Sequence, residues 1–600
     1  MERWIIKQPN INLDLMTKIL KIDTDLAKLL ANRNIRTKNQ AIKFLNPLEK
    51  FMYDTNLMKD INKATEIILN AIARKDKIMI YGDYDVDGVM STVILHKTLS
   101  VLGANVCFHL PSRHDDGFGL NKNIIKKLSD NGTKLIITCD NGIAAHEEIK
   151  LAKNLNMQVI IIDHHFPNTN PDDCSDVLPC ADATVDCKQQ SCCYPFKMLC
   201  AAGMAYKVYS KILSNNILNV KHKNNFYLKN DLLIFAAIGT LCDVVDLTDE
   251  NRIIAKQGID LINNKKFINK GLTELLKING IYDKKICAED IGFIIGPCIN
   301  ACGRLKTADL AAKLFLSEDI NETKNIAREI VGLNSKRKVM TKNTCDKILA
   351  ELESSYNFNK YPIIVYYSKD IDESIAGIIA GRIKEKYFHP VIIFTDSNQE
   401  NIIKGSARSI ENYDIFNALQ KHKDLFIKFG GHKLAAGLSM ERKNLMTLRE
   451  KLNSECKLSE NGFIEKIEID FELDFRKINF DLLKKINLLG PFGHSNQKPL
   501  FVSRQVKINK IKTIREKNTL IFKLEQNKKI IKAISFGLYD NFCEQINNRF
   551  DSYMRTKILN GYLNNIDLFM DIVYSLEANE FNDKVYLQLR IKDFKLLGDF

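Results

Sequence analysis

Between residues 77 and 165, apolar and polar positions come in alternating blocks. Short apolar runs at 78–81, 106–110, 135–138 and 159–162 are separated by stretches of helical period, such as "MSTVILHKTLSVLG" and "AAHEEIKLAKNL". That alternation predicts βαβ units of a doubly wound parallel sheet, whose ligands gather at the carboxyl ends of the strands. Residues 197–340 read as mainly helical. The breaker-poor stretch "NETKNIAREIVGLNSKRKVMTKNTCDKILAELESSYN" predicts a long helix linking two lobes. "YPIIVYYS" opens a second α/β unit near residue 361, and "HPVIIFTD" follows the helix-like "AGIIAGRIKEKY". From about residue 460 the texture changes to short alternating strands, among them "KIEIDFELDF", "PLFVSRQVKI", "NTLIFKLEQ", "KKIIKAISFG" and "KVYLQLRIKDF". They predict a small antiparallel barrel or sandwich.

Composition narrows the class. Six hundred residues, 45% hydrophobic and 27% charged, make several ordinary globular domains rather than one core. No stretch approaches about 18 uninterrupted apolar residues, and "MERWIIKQPNINLDL" lacks the long apolar run and cleavage site of a leader, so a cytoplasmic protein is expected. The 15 cysteines include no paired CxxC motifs, and the cluster Cys187, Cys192 and Cys193 has no histidines nearby; buried free thiols in a reducing compartment are the expectation. The net charge of +14 accommodates a polyanionic partner. A chain so rich in Lys, Asn and Ile also reflects A/T-rich coding, so motifs must carry any nucleic-acid reading.

Four polar clusters supply them. "YGDYDVDG" places Asp83, Asp85 and Asp87 after the first apolar run, "LIITCDNGI" ends in Asp140, "VIIIDHH" ends in Asp163-His164-His165, and "AIGTLCDVVDL" offers Asp243 after an apolar helix-like segment. Alone, an Asp-Gly motif is as well explained by a solvated turn. In this order along one sheet, with neighbouring strands about 5 Å apart, the four can converge on one crevice. In extended backbone Asp85 and Asp87 would share a face and hold neighbouring metals. A strand would send His164 and His165 to opposite sides, one to a metal and the other to substrate. A donor set mixing carboxylate and imidazole favours Mn2+ and tolerates Mg2+, and two ions bridged by a carboxylate suit phosphodiester hydrolysis.

These residues resemble the DHH phosphoesterase superfamily, named for the Asp-His-His seen at 163–165. The longer pattern resembles its RecJ family, single-strand-specific 5′→3′ DNA exonucleases. "GDYDVDG", "CDNGI", "IDHH" and "GTLCDVVDL" stand in family order, joined by "RHDDGFGL", "LPCADATVD", "GPCINACGRL", "KGSARSI", "FGGHKLAAG", "GPFGHSNQKPLF" and "NEFNDKVYLQLRIKDF". The match covers roughly residues 50–600. It implies an N-terminal helical segment (1–50), a DHH domain (51–325), a connecting helix (326–358), a smaller α/β DHHA1 domain (359–456) and an OB-like nucleic-acid-binding barrel (460–600).

The resemblance also implies roles. Asp85, supported by Asp83, would bind one metal; Asp87, His164 and Asp243 would bind the second; Asp140 would bridge them, and His165 would contact the scissile phosphate. Arg113, Arg304, Ser406 and Arg408 would line a pocket for the 5′ end, and Gly430, Gly431 and His432 would bring the second lobe onto substrate phosphate. A monomer degrading single-stranded DNA to mononucleotides, beside single-strand-binding protein and a helicase in recombination and repair, is the implied function. A DHH phosphodiesterase of short oligonucleotides or cyclic dinucleotides and a non-catalytic replication scaffold are the alternatives. Departures fall at Cys298 and Cys302, at Ile371-Asp372 where a Trp-His pair is common, at Ala407, and at "GHSNQKP".

Overall fold

The structure is a computed structural model that describes residues 3–9, 11–111, 119–170, 172–214, 224–514, 516, 518–563, 567–581 and 584–597. The chain divides into two compact units, 49–464 and 1–48 with 465–600.

The larger unit begins with the predicted sheet. Strands β1 (Lys77–Tyr81), β2 (Asn105–His109), β3 (Thr133–Cys139), β4 (Gln158–Ile162) and β5 (Ala183–Val185) are all parallel, in the order β2-β1-β3-β4-β5. The chain runs outward from β1 to β2 and returns to β3 on the other side of β1, so the switch point lies between β1 and β3. Both faces are buried, which is why these strands read as apolar runs without alternation. Ile78, Ile80, Leu135, Ile137, Ile160 and Ile162 enter the main core with α1 (Val86–Val101), α4 (Ala201–Ser214) and α5 (Asn224–Cys242). On the other face Met79, Ile136, Val159 and Ile161 pack on Ile125 and Leu128 of α2 (Lys122–Asp130) and Ile149 and Ala152 of α3 (His146–Asn154).

After further helices, including α6 (Gly296–Leu305), the predicted connector is α7 (Ile320–Ser355). Asp319 caps it, accepting the Asn321 and Glu322 N–H groups at 2.6 and 2.9 Å. Its first half supplies Ile326, Ala327 and Ile330 to the main core, and its second half gives Cys345, Ile348 and Leu352 to the core of the second lobe. There β6 (Ile364–Tyr367), β7 (Val391–Asp396), β8 (Ile402–Arg408), β9 (Phe426–His432) and β10 (Ala435–Glu441) form a sheet ordered β9-β10-β8-β7-β6, with α8 (Glu373–Tyr387) on one face.

The other unit holds a closed five-stranded barrel of β11 (Phe501–Ile514), β12 (Thr519–Gln526), β13 (Lys529–Phe536), β14 (Phe569–Phe581) and β15 (Lys584–Leu596), sealed by β11 against β14. The expected antiparallel pairing holds except between β13 and β15, which run parallel. β14 escapes an alternation search because a register shift at Val573/Tyr574 leaves Ile572, Val573 and Tyr574 all buried. The expected N-terminal helical segment also contains a strand, Arg3–Ile6, paired with Lys466–Ile469, and its helices share the barrel core through Leu29, Leu30 and Phe44.

Every cysteine is a free thiol, as expected, but not every one is buried: Cys174, Cys180, Cys193 and Cys287 are exposed. No helix among the described residues is long and apolar enough to cross a membrane.

Candidate metal centre

The acidic motif turns the end of β1 into the start of α1. Asp85 is the N-cap, its carboxylate accepting the Gly88 N–H at 3.0 Å, and Asp87 sits in the first helical turn. Gly88 is obligatory there: a Cβ would lie 2.5–2.6 Å from the Asp83 backbone, so any larger residue would open the loop that carries the carboxylates. Asp87 is 1% exposed and accepts the Ala201 and Ala202 N–H groups at 2.7 and 2.9 Å, which ties the motif to the N-terminus of α4. Asp85 is still in extended backbone, but Asp87 is already helical, so the two do not share a strand face. They separate onto different neighbours because a helix starts between them.

Across the switch point, Asp140 follows β3 with φ +63°, a conformation that turns the chain sharply at the strand end. Asn141 braces the two strand ends, donating to the Tyr81 carbonyl at 3.4 Å and the Cys139 carbonyl at 3.2 Å. His164 follows β4 and points Nε2 at three carboxylates: Asp140 at 3.1 Å, Asp243 at 3.7 Å and Asp87 at 3.8 Å. Asp243 arrives from the end of α5 rather than from a strand. The donor atoms fall into the sets Asp83/Asp85/Asp140, Asp87/His164/Asp243 and Asp140/His164/His165, each within 4.8 Å.

Burial makes this cluster costly without a cation. Desolvation, then the neighbouring Asp85, pushes the Asp87 carboxyl up to about 6, and desolvation and neighbouring acids hold Asp140 and Asp243 well above the usual range. Burial and the adjacent His165 charge push His164 down to about 3, so its imidazole is neutral, as ligation requires. His164 Nδ1 is buried with no hydrogen-bond partner among the described residues. Converging carboxylate oxygens and a neutral imidazole, without a lysine or arginine among them, fit divalent cations.

His165 is different. Burial disfavours its charge, but Asp163, accepting from Nδ1 at 2.7 Å, outweighs that and raises it to about 9. Asp163 is itself opposed by burial yet held down at about 2, chiefly by that bond. The two histidines do not diverge as a strand would make them. β4 ends at Ile162, and their rings lie 4.4 Å apart in the following loop. The unlike environments come from Asp163 rather than from strand alternation.

His165 and Tyr84 form one wall of a cleft of about 700 Å3; Ser406, Gly430, Gly431 and His432 form the other. Sequence reasoning missed Tyr84, Lys404 and Lys428 on these walls, since a tyrosine or lysine carries no signature of its own. Arg304 donates to the Ser374 carbonyl at 2.6 Å, and a methyl at Gly377 would lie 2.8 Å from Ser406 Oγ and 3.2 Å from Arg408 Nη2. Three residues expected at the 5′-end pocket thus gather at the first turns of α8, while Arg113 lies outside the described residues. The departures have local explanations. Asp372 is the N-cap of α8, accepting the Ser374 N–H at 2.8 Å. Cys298 and Cys302 are buried, Cys298 within 3.3 Å of Asn334 Nδ2, and Ala407 fills the second-lobe core. In the other unit, Asn496 of "GHSNQKP" closes its turn by donating to the Leu489 and Pro491 carbonyls.

A doubly wound sheet bearing Asp-x-Asp-x-Asp, Asp and Asp-His-His at its strand ends defines the class of DHH proteins, and the second lobe and the barrel narrow it further. The profile of the DHH family, N-terminal domain, matches residues 77–240, that of the DHHA1 domain residues 360–458, and that of the RecJ OB domain residues 469–593. The chain belongs to the RecJ family. It is 30% identical over 579 residues to the "Single-stranded-DNA-specific exonuclease RecJ" of Haemophilus influenzae, covering 94% of this chain and 95% of that one. It is 36% identical over 500 residues to the Bacillus subtilis protein of the same name, covering 83% of this chain but spanning only 61% of that relative's length. The fold matches a crystal structure of RecJ in complex with Mn2+ from Thermus thermophilus, with TM-score 0.78 and 22% identity, over 99% of this chain and 79% of that one.

Proposed function

We propose that this chain hydrolyses single-stranded DNA from the 5′ end to 5′-mononucleotides with two divalent ions, Mn2+ or Mg2+. The observation that carries the reading is the convergence of Asp83, Asp85, Asp87, Asp140, Asp243 and His164 on one notch at the sheet's switch point. Asp83 and Asp85 would hold one ion and Asp87, His164 and Asp243 the other, with the Asp140 carboxylate serving both. Held there, such ions would supply a lowered pKa for an attacking water and positive charge beside the attacking and leaving oxygens.

The rest belongs to side chains of the cleft. Asp163 fixes the His165 ring through Nδ1, which leaves the protonated Nε2 for an oxygen of the scissile phosphate. His432, on the opposite wall, is kept neutral by burial and by the His165 charge, and donates to the same phosphate. Arg304, Ser406 and Arg408, together with Arg113, hold the 5′-terminal phosphate and so set the polarity. The OB barrel grips the continuing strand. In the cell the enzyme works as a cytoplasmic monomer in recombination and repair, taking strands that a helicase exposes and single-strand-binding protein covers.

End-labelled single-stranded and duplex DNA, with Mn2+ or Mg2+, test the reading. Mononucleotides leave the single strand from the 5′ end first, and duplex resists. Release from the 3′ end first, or faster cleavage of a dinucleotide than of a long 5′-phosphorylated strand, would overturn it.

A further inference from the structure

The cysteine cluster in the loop after β5 has no part in the chemistry above. Cys187 and Cys192 are buried, while Cys193 beside them is exposed. A compact turn brings the two buried thiols together. The Gln189 amide donates to the Thr184 and Asp186 carbonyls at 2.8 and 3.1 Å, and the Cys192 N–H donates to the Gln189 carbonyl at 3.1 Å. Across that turn the Cys187 thiol bonds to the Cys192 sulfur. The same sulfur accepts the Lys59 N–H at 3.5 Å and the Tyr194 N–H, and the Lys197 ammonium reaches the Cys192 carbonyl. Amides and an ammonium gathered about one sulfur favour its thiolate. The bond from Cys187, set against burial and joined by these donors, holds the Cys192 thiol down at about 5; the same bond and burial push Cys187 up. Cys187 Sγ also lies 3.4 Å from Met204 Sδ of α4, within the apolar core.

We propose that Cys192 and Cys187 form a peroxide-reactive dithiol, with Cys192 the attacking sulfur and Cys187 the thiol that resolves it. The Cys192 thiolate attacks one oxygen of hydrogen peroxide. The O–O bond breaks, and the other oxygen leaves as hydroxide and takes a proton to become water. Cys192 is then a sulfenic acid. The Cys187 sulfur loses its proton and attacks the Cys192 sulfur; the S–S bond forms, and the S–O bond breaks to release a second water. The thiol pair is oxidised to a disulfide, and the peroxide is reduced to water. In a reducing compartment such a bond is transient, formed when peroxide rises and reversed by other thiols. Prompt resolution also keeps Cys192 from irreversible oxidation to sulfinic acid. The ring so closed lies in the loop that leads to α4, whose first amides hold Asp87.

Hydrogen peroxide added stepwise to the full chain in EDTA, followed by alkylation and peptide mass spectrometry, tests the pair. The expected first product is a Cys187–Cys192 crosslink, formed while the exposed Cys174, Cys180, Cys193 and Cys287 still alkylate, and lost on adding dithiothreitol. Cys187→Ser should abolish the crosslink and leave a dimedone adduct on Cys192; Cys192→Ser should give neither. A first crosslink to Cys193, dimedone capture on Cys187, or oxidation of the exposed cysteines while Cys187 and Cys192 still alkylate would overturn the proposal. The crosslink is read in the wild type, so poor folding of either variant leaves the test intact.

Discussion

Asp87 has a duty that the other acidic donors lack, and replacing it separates fold from chemistry. Its carboxylate accepts two amides at the start of α4, where the helix dipole also favours an anion. Hydrogen bonds to a charged group contribute roughly 1.5–3 kcal/mol each, so the pair contributes roughly 3–6 kcal/mol. The rise of the carboxyl from 3.8 to about 6 is already net of these bonds, so burial and repulsion by Asp85 outweigh them for the charged form by roughly 3 kcal/mol. Truncation also leaves two helix amides unpaired, so Asp87→Ala should lose about 2–4 kcal/mol. In a unit this large, that lowers Tm by roughly 3–6 °C. Asp243 accepts no such amides among the described residues and carries the same kind of repulsion, so Asp243→Ala should melt at or above wild type. Scanning calorimetry in EDTA at neutral pH reads both variants. Asp87→Ala melting as high as Asp243→Ala would refute the structural role of that carboxylate.

Other consequences are equally open to measurement. Because the Asp87 carboxyl is raised above its unfolded value, the metal-free fold binds the extra proton between about pH 4 and 6, and its stability falls as pH rises through that window. Mn2+ affinity moves the opposite way, so the Mn2+-induced rise in Tm should be larger at pH 7.5 than at pH 5; a pH-independent rise would contradict this. Asp140→Ala should abolish hydrolysis with circular dichroism unchanged, and near-normal turnover would remove its bridging role. Gly431 has φ +152°, and a Cβ there would lie 2.4 Å from the Ala435 carbonyl oxygen, so Gly431→Ala should distort the cleft wall and raise KM well before it unfolds the lobe. Asp372→Ala should cost about 1 kcal/mol of second-lobe stability through the lost α8 cap and leave cleavage polarity as it was.

Much of this was legible because both faces of the first sheet are covered. Continuous apolar runs at 78–81, 135–138 and 159–162 end where polarity abruptly begins, so the motif and the strand end are one signal. The side-chain directions were not legible. Asp85 and Asp87 part company because α1 begins at Val86, and His164 and His165 lie together because β4 has already ended. The anionic Asp372, a departure in sequence, is a helix cap in space. Tyr84 and Lys428 come to the cleft through contacts between lobes that no local pattern encodes, and β14 is hidden by its register shift.

Counting Mn2+ by equilibrium dialysis, for wild type and for Asp140→Asn at pH 7.5, puts the shared acidic notch to the test. Two ions per wild-type chain, and one or none once Asp140 loses its charge, is the expected result. A chain that binds no Mn2+, or still holds two without the Asp140 carboxylate, would contradict a paired-ion centre built on these residues.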